Sequence, residues 1–342
     1  MAEGGVAQSA EALTGEDKAL LTLAQRWVPI NPRPFRSLGE CLGLSEDAVI
    51  GRLKALREAG FIRKIGPVFE PAALDLASEL VAARVIPDDL DRVGAEVASW
   101  PEITHCYARE HGINLWFAGI AAAPDWFAAA AERIAEMQGV QGVWRLPTIR
   151  RFKIGVHFEL APVAACPEPP PDPAGAVPSV AELPARILRA IQSDLPLCSQ
   201  PFQVLADQGG VSEDELMQTL AGLLKAGVVR RYGALVSHRR LGITANAMLV
   251  LRVREDRIEA AGARLAESSS VSHCYQRPAF DGFPYSLYAM VHGADREACL
   301  GTAAGLAESV GVDDWQALFS TREYGKSVPD YASLVEAKGG GE

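Results

Sequence analysis

The chain has 342 residues, of which 49% are hydrophobic, and a formal net charge of −10. This apolar fraction is enough for packed cores, so the composition excludes a disordered chain, and the length predicts several small domains. The negative net charge argues against a protein whose main activity is binding a nucleic-acid backbone, because that affinity comes from clustered lysine and arginine. No apolar stretch reaches the length of a membrane span and the first residues do not resemble a signal peptide, so we expect a cytoplasmic protein with no membrane partner.

An internal repeat organises the chain. Pro34-Phe35 recurs as Pro201-Phe202, and Ala59-Gly60 recurs as Ala226-Gly227, both 167 residues later. Further on, a His-Cys-Tyr-x-Arg motif at 105–109 recurs at 273–277, with the offset grown by one residue. Conserved register over this distance indicates a tandem duplication. A proline-rich linker at 161–182 separates the two copies.

Each copy begins with three predicted helices, which in the first copy span 17–27, 35–42 and 45–59. Ser45 is the expected N-cap of the third helix, and Gly60 ends it. The segment 61–69 that follows is typical of a short hairpin wing. We therefore predict winged helix-turn-helix domains at 14–70 and 183–240.

The hydrophobic period then changes. In the first copy it predicts strands at 79–86, 103–109, 114–120 and 143–154, with helices at 90–99 and 126–137. This βαββαβ order is that of a ferredoxin-like domain, expected at 78–160 and again at 244–326. The predicted fold class is α+β, a tandem repeat of winged helix-turn-helix and ferredoxin-like domains that pack as a pseudo-dimer.

The two predicted recognition helices are poor in basic side chains. The first offers Arg52, Lys54 and Arg57, and the second offers only Lys225. Base edges and phosphates need such donors, so we expect no specific DNA binding.

The repeated motif is the main candidate for chemistry. Strand alternation puts His105, Tyr107 and Arg109 on one face of their strand, and the second copy repeats this arrangement with His273, Tyr275 and Arg277. These trios supply a proton donor, a phenol and a guanidinium. The competing interpretation is structural, because a duplication also copies residues that only pack or hydrogen-bond.

The order of domains resembles the Lrp/AsnC transcription regulators. The paired motifs, together with the Asn-Leu-Trp-Phe strand at 114–117 and the Phe-Pro-Tyr-Ser-Leu-Tyr segment at 283–288, are more specifically similar to siroheme decarboxylases, Lrp/AsnC-like proteins built from two related subunits or from their fusion. The resemblance covers both halves. It implies loss of carbon dioxide from the acetate side chains on rings C and D of siroheme, giving 12,18-didecarboxysiroheme for haem d1 or alternative haem biosynthesis.

A siroheme site needs apolar walls for the macrocycle and basic side chains for its carboxylate fringe. The candidate substrate-binding residues in the αβ domains are Arg109, Arg277, Asn114, Trp116, Tyr285, Tyr288, Arg150 and Arg151. Those in the winged domains are Arg63, Lys64, Arg230 and Arg231. The candidate catalytic residues are His105, His273, Tyr107 and Tyr275.

The role of the motif histidines is open at this stage. His105 or His273 can donate the proton that replaces the lost carboxyl group, or can instead ligate the siroheme iron. We expect no cofactor beyond that iron. A transcription regulator that senses haem or an amino acid and a non-catalytic tetrapyrrole carrier are the alternatives, and both the productive half and a further homodimer are left open.

Overall fold

The structure, a computed structural model, describes residues 13–155, 158–163, 183–237 and 239–339. The chain forms two compact units. The helical unit takes residues from 1–75, 157–242 and 330–342, and the sheet unit takes residues from 76–156 and 243–329. Both copies therefore contribute to both units. Most of the predicted linker, residues 164–182, lies outside the described residues.

Helices and strands are numbered in chain order. The α-helices are α1 Gly15–Arg26, α2 Pro34–Leu42, α3 Glu46–Glu58, α4 Leu90–Ala98, α5 Trp126–Ala135, α6 Ala185–Gln192, α7 Pro201–Gly209, α8 Glu213–Lys225, α9 Ile258–Glu267, α10 Arg296–Ser309 and α11 Tyr331–Gly339. The strands are β1 Ile62–Phe69, β2 Ala77–Val85, β3 Ile103–Arg109, β4 Leu115–Ala121, β5 Val140–Pro147, β6 Arg150–Ile154, β7 Val229–Val236, β8 Ala245–Leu251, β9 Val271–Gln276, β10 Leu287–Gly293 and β11 Trp315–Lys326.

The recognition helices α3 and α8 begin at matching caps in the helical unit. The Ser45 hydroxyl accepts a hydrogen bond from the backbone N–H of Ala48 at 3.2 Å, and Ser212 accepts one from Glu215 at the same distance. Each cap satisfies one of the N–H groups that a helix N-terminus leaves without an intrahelical partner. The predicted cap at Ser45 is confirmed.

The predicted hairpin wing is wrong. Residues 62–69 form one continuous strand, β1, which pairs antiparallel with its repeat equivalent β7. Gly66 lies opposite Gly233, and these two residues occupy the same position in the two copies. The Gly66-Pro67 dipeptide suggests a turn in isolation, but the partner strand supplies the pairing that a hairpin would otherwise provide. The helical unit is thus joined by a two-stranded sheet with local two-fold pseudo-symmetry.

The sheet unit contains nine strands in the order β5-β2-β4-β3-β11-β8-β10-β9-β6. The predicted strand at 143–154 is divided into two strands. β5 pairs with β2 of the same copy, whereas β6 pairs with β9 of the other copy. Likewise β11 pairs with β8 through its first half and with β3 through its second half. In each copy, the end of the last strand therefore pairs with a strand of the other copy.

Three hydrophobic clusters hold the sheet unit together. Two of them lie between the sheet and its helices, one in each copy. The first-copy cluster includes Cys106, and the second-copy cluster includes Cys274. The third joins both copies on the opposite face of the sheet, with Trp116 from the first copy and Tyr288 and Leu318 from the second. This third core makes the two αβ domains one folded body.

The predicted fold class is confirmed, and two local expectations need correction. Helix α11, which packs on α6, was not predicted, since the second domain was expected to end at 326. The sulfur of Cys41 is in a disulfide, which was not predicted either, whereas Cys106, Cys198, Cys274 and Cys299 are free. Among the described residues, no helix is both long and apolar enough to cross a membrane.

Candidate active site

The two His-Cys-Tyr-x-Arg motifs occupy equivalent strands, β3 and β9, in the sheet unit. Cys106 and Cys274 point into the helix-side cores. Strand alternation therefore turns the histidine, tyrosine and arginine of each motif to the opposite face, as predicted. The His105 and Tyr107 rings lie 6.3 Å apart, and the His273 and Tyr275 rings have the same separation. These four rings are half-buried, so a ligand can reach them.

The motif arginines are buried and contact the other copy. Arg109 donates to the backbone carbonyl of Leu318 at 2.8 Å, and Arg277 donates to that of Leu146. Desolvation lowers the pKa of Arg109 to about 10 and also lowers the pKa of Arg277. Each guanidinium lies over the tyrosine of its own motif. These contacts connect the copies, and the predicted role as carboxylate clamps stays a prediction.

Several other predicted substrate contacts lie in the packed interior. The Trp116 indole is almost fully buried and donates to the carbonyl of Ile113 at 2.8 Å. The Asn114 amide exchanges two hydrogen bonds with the backbone of Val85. Tyr285 and Tyr288 are buried in the core shared by the two copies. The polar groups of Trp116 and Asn114 thus have structural partners, whereas the buried Tyr288 hydroxyl has no hydrogen-bond partner among the described residues. The substrate contacts of all four residues remain predictions.

The two motif sites differ chemically because each motif strand pairs with the last strand of the other copy. In the second copy Arg151 pairs opposite Tyr275, whereas in the first copy Glu323 pairs opposite Tyr107. Directly opposite residues share one face of a sheet. Similarly Lys326 lies opposite His105. Sequence reasoning missed Glu323, although its place in the repeat, equivalent to Arg151, was a usable signal.

The remaining predicted basic residues are engaged elsewhere. Arg150 forms an ion pair with Glu259 at the surface of the sheet unit. Lys64 donates to the carbonyl of Gln192 in the helical unit. There too Arg231 donates to the Gln25 carbonyl and Arg230 lies 3.9 Å from the Glu70 carboxylate, while Arg63 is exposed on the same pair of strands. The structure therefore does not bring the four winged-domain residues into the unit that carries the motifs.

Polar residues that sequence reasoning missed surround the motif histidines. In the first copy the Thr104 hydroxyl lies 3.0 Å from His105 Nδ1. In the second, the Ser272 hydroxyl lies 2.9 Å from His273 Nδ1 and 2.6 Å from His292 Nε2. The available signal was the hydroxyl residue that precedes both motifs. Burial, with a smaller effect from the charge of Lys326, lowers the pKa of His292 to about 4.

An open cavity of about 540 Å³ lies elsewhere in the sheet unit. Trp144 of the first copy and Phe280 of the second line it and stack with their ring centroids 4.9 Å apart. None of the motif residues lines this cavity. Among the described residues, no group of three or more His, Cys, Asp or Glu side chains that could hold a metal ion is present.

Comparison with known proteins matches most of the chain, including both copies. The profile of the AsnC-like ligand binding domain matches residues 76–153 and 240–325, and that of the siroheme decarboxylase NirDL-like HTH domain matches 17–63 and 185–230. The siroheme decarboxylase of Hydrogenobacter thermophilus is 34% identical over 92% of this chain and 94% of its own. The siroheme decarboxylase beta subunit of Methanosarcina barkeri is 40% identical over 42% of this chain and 93% of its own.

A solved structure extends this likeness to three dimensions. The crystal structure of the siroheme decarboxylase NirDL in complex with an iron-uroporphyrin III analogue matches with a TM-score of 0.69 and 29% identity, over 94% of this chain and 97% of that one. The described fold and the similarity thus agree over both copies.

Proposed function

The chain belongs to the siroheme decarboxylase family, and on that premise we propose that it is a carboxy-lyase that removes carbon dioxide from siroheme. We place the reaction at the acetate side chains of rings C and D, with 12,18-didecarboxysiroheme as the product, in haem d1 or alternative haem biosynthesis. The observation that carries the proposal is similarity over 94% of the length of the siroheme decarboxylase of Hydrogenobacter thermophilus, including both motif-bearing domains.

Each decarboxylation consumes one proton. The bond between the acetate methylene and its carboxyl carbon breaks, carbon dioxide leaves, and the methylene carbon takes up a proton to become a methyl group. Removing two carboxyl groups therefore consumes two protons for each siroheme. A histidine whose pKa lies near the working pH can supply them, and the accessible rings of His105 and His273 are the candidates. Either ring can instead ligate the siroheme iron.

We assign the productive site to the β9 strand, around His273, Tyr275 and Arg151. Siroheme carries several carboxylates, so a guanidinium on the motif face favours binding and a carboxylate there opposes it. The second copy has Arg151 in this position, whereas the first copy has Glu323, whose charge is offset by Lys326 opposite His105. The paired positions therefore carry a net positive charge beside the second motif and no net charge beside the first, which supports the second copy.

The two alternative functions remain weaker. Two of the three basic residues on α3 are engaged in ion pairs within the helical unit, which disfavours a DNA-binding regulator. A carrier would bind siroheme and release it unchanged. We propose that the enzyme needs no cofactor beyond the iron of its substrate, while a further homodimer and the cytoplasmic location stay predictions. Relatives that are named as single subunits of siroheme decarboxylase each match 42% of this chain, so each fused copy corresponds to one such subunit.

The direct test is anaerobic incubation of the purified protein with siroheme, followed by mass spectrometry of the tetrapyrrole. We expect loss of two carboxyl groups. Binding without any mass change would favour the carrier and contradict the proposed function.

A further inference from the structure

A β-bulge lies immediately before the histidine of each motif. On β3 the pairing with β4 passes from Ile103 to His105 and leaves Thr104 as the extra residue. On β9 the pairing with β10 leaves Ser272 as the extra residue in the same way. A bulge redirects the side chain that it inserts. In both copies it brings a hydroxyl onto the Nδ1 atom of the next residue.

In the first copy, the hydrogen bonds define which ring nitrogen carries the proton. The Thr104 hydroxyl donates to the carbonyl oxygen of Ala118 at 3.1 Å. A hydroxyl has one hydrogen, and a carbonyl can only accept. The Thr104 oxygen must therefore accept from His105, so His105 Nδ1 is the donor. This assignment follows from the hydrogen-bond network.

In the second copy, a different chain of contacts gives the same result. The side-chain oxygen of Asn246 accepts from His292 Nδ1. His292 is half-buried, and desolvation together with the nearby charge of Lys326 lowers its pKa to about 4. Its ring is therefore neutral, and its Nε2 atom carries no proton. Ser272 then donates its hydroxyl hydrogen to His292 Nε2 and accepts from His273 Nδ1.

We infer that Thr104 and Ser272 are positioning residues, each of which fixes the neighbouring motif histidine as the Nδ1–H tautomer and so leaves Nε2 as the ring nitrogen without a proton. Two unrelated acceptors, a backbone carbonyl and a half-buried imidazole, enforce the same tautomer in the two copies. A histidine that ligates a metal is held in this manner, with its second nitrogen donating to an oriented oxygen. As a proton donor, the ring would have to act as the doubly protonated imidazolium, because its neutral form has no proton on Nε2.

The tautomers can be measured directly, independently of any activity. Long-range proton–nitrogen correlation spectra of the ¹⁵N-labelled full chain, with signals assigned through His105→Gln and His273→Gln, distinguish the two neutral forms. We expect Nδ1–H for both rings in the wild type. In Ser272→Ala the His273 signal should shift toward the Nε2–H form while His105 is unchanged, and in Thr104→Val the converse should hold. Ser272→Thr should restore the wild-type signal. An Nε2–H ring in the wild type, or unchanged signals in both variants that lack the hydroxyl, would overturn the inference.

The consequence for catalysis rests on the proposed function and has a separate readout. We expect Ser272→Ala to weaken binding of iron uroporphyrin III or to lower kcat for siroheme by roughly 10- to 100-fold, as is typical when the partner of a functional histidine is removed. Ser272→Thr should stay close to the wild type. Equal losses in both variants would indicate mere structural damage and reject the positioning role. A wild type that does not decarboxylate siroheme would refute the proposed function and leave the tautomer result standing.

Discussion

The two motif strands present the same residues in different electrostatic surroundings. On β3, His105 and Tyr107 face Lys326 and Glu323, and the bulge hydroxyl is anchored by a backbone carbonyl. On β9, Tyr275 faces Arg151, and the bulge hydroxyl is anchored by the half-buried His292. The repeat equivalent of His292 on β4 is the aliphatic Ile120. Duplication has therefore kept the motif trio and allowed its neighbours to diverge, and our proposal of the productive copy rests on those neighbours.

The largest expected effect separates the two histidines. We expect His273→Ala to lower kcat by roughly 100-fold or more, the contribution of a positioned acid, if the residue donates the proton. The matched variant His105→Ala should lose much less activity, because Glu323 disfavours a carboxylated substrate at that strand. Anaerobic turnover with siroheme measures both.

The same variants also distinguish the two roles. If His273 ligates the iron, its loss should alter the visible spectrum of the bound siroheme and weaken binding. A larger loss of activity in His105→Ala than in His273→Ala would reverse the assignment of the productive copy. Full activity in both would remove the histidines from the mechanism.

The charge difference between the copies predicts the next largest effect. Arg151→Ala should raise KM for siroheme by roughly tenfold, since a charge-assisted hydrogen bond contributes about 1.5–3 kcal/mol. Arg264→Ala, which breaks an exposed ion pair with Glu267 on α9, is the matched control for loss of one surface arginine. If KM rises equally in both variants, net charge and not position is responsible.

The buried arginines test whether the copies are alike in their structural parts. Arg109→Ala and Arg277→Ala should each lower the free energy of unfolding by roughly 1.5–3 kcal/mol, since each loses a charged donor and leaves a buried carbonyl without its partner. Denaturant titration measures the effect. An elevated KM with unchanged stability in either variant would support the carboxylate clamp predicted from the sequence.

The half-buried His292, whose place in the first copy is taken by Ile120, predicts a modest pH effect on stability. Burial places the folded-state pKa of His292 at about 4, below its ordinary value of 6.5. The unfolded chain therefore binds this proton more readily, so stability is fully present above about pH 6.5 and falls as the pH drops toward about 4. His292→Ile, which copies Ile120, should flatten this part of the curve in urea titrations at several pH values. An unchanged slope would mean that other groups cause the loss.

The sequence predicted the elements with strong local signals and missed those that depend on the other copy. Helix α3 with its Ser45 cap and the three-residue face of β3 follow from spacing alone. The pairing of β1 with β7 and the division of 143–154 into two strands do not follow from spacing, because these strands form hydrogen bonds with strands of the other copy. The same reason explains Arg109, which resembles a surface clamp in the sequence and is buried against Leu318 of the other copy.

The smallest expected effect concerns DNA, where the two recognition helices can be compared directly. On α3, Arg52 pairs with Glu16 and Asp17, and Arg57 pairs with Asp194. Lys54 is the basic residue of that helix that forms no ion pair with another described residue.

Helix α8 begins with Glu213, Asp214 and Glu215, at the end of a recognition helix that usually meets base edges, and these carboxylates would repel the phosphates. Few phosphate contacts mean little counterion release, so we expect only weak binding that disappears as salt approaches the physiological range, with no preference for sequence. Fluorescence anisotropy across a salt series, followed by footprinting on the chain's own upstream region, measures both properties. Lys54→Ala should change neither result, because removing one exposed cation from an already acidic surface alters at most one phosphate contact. A protected site at nanomolar concentrations, abolished by Lys54→Ala and untouched by Lys225→Ala, would show instead that the first copy kept the regulator's function while the second acquired the chemistry.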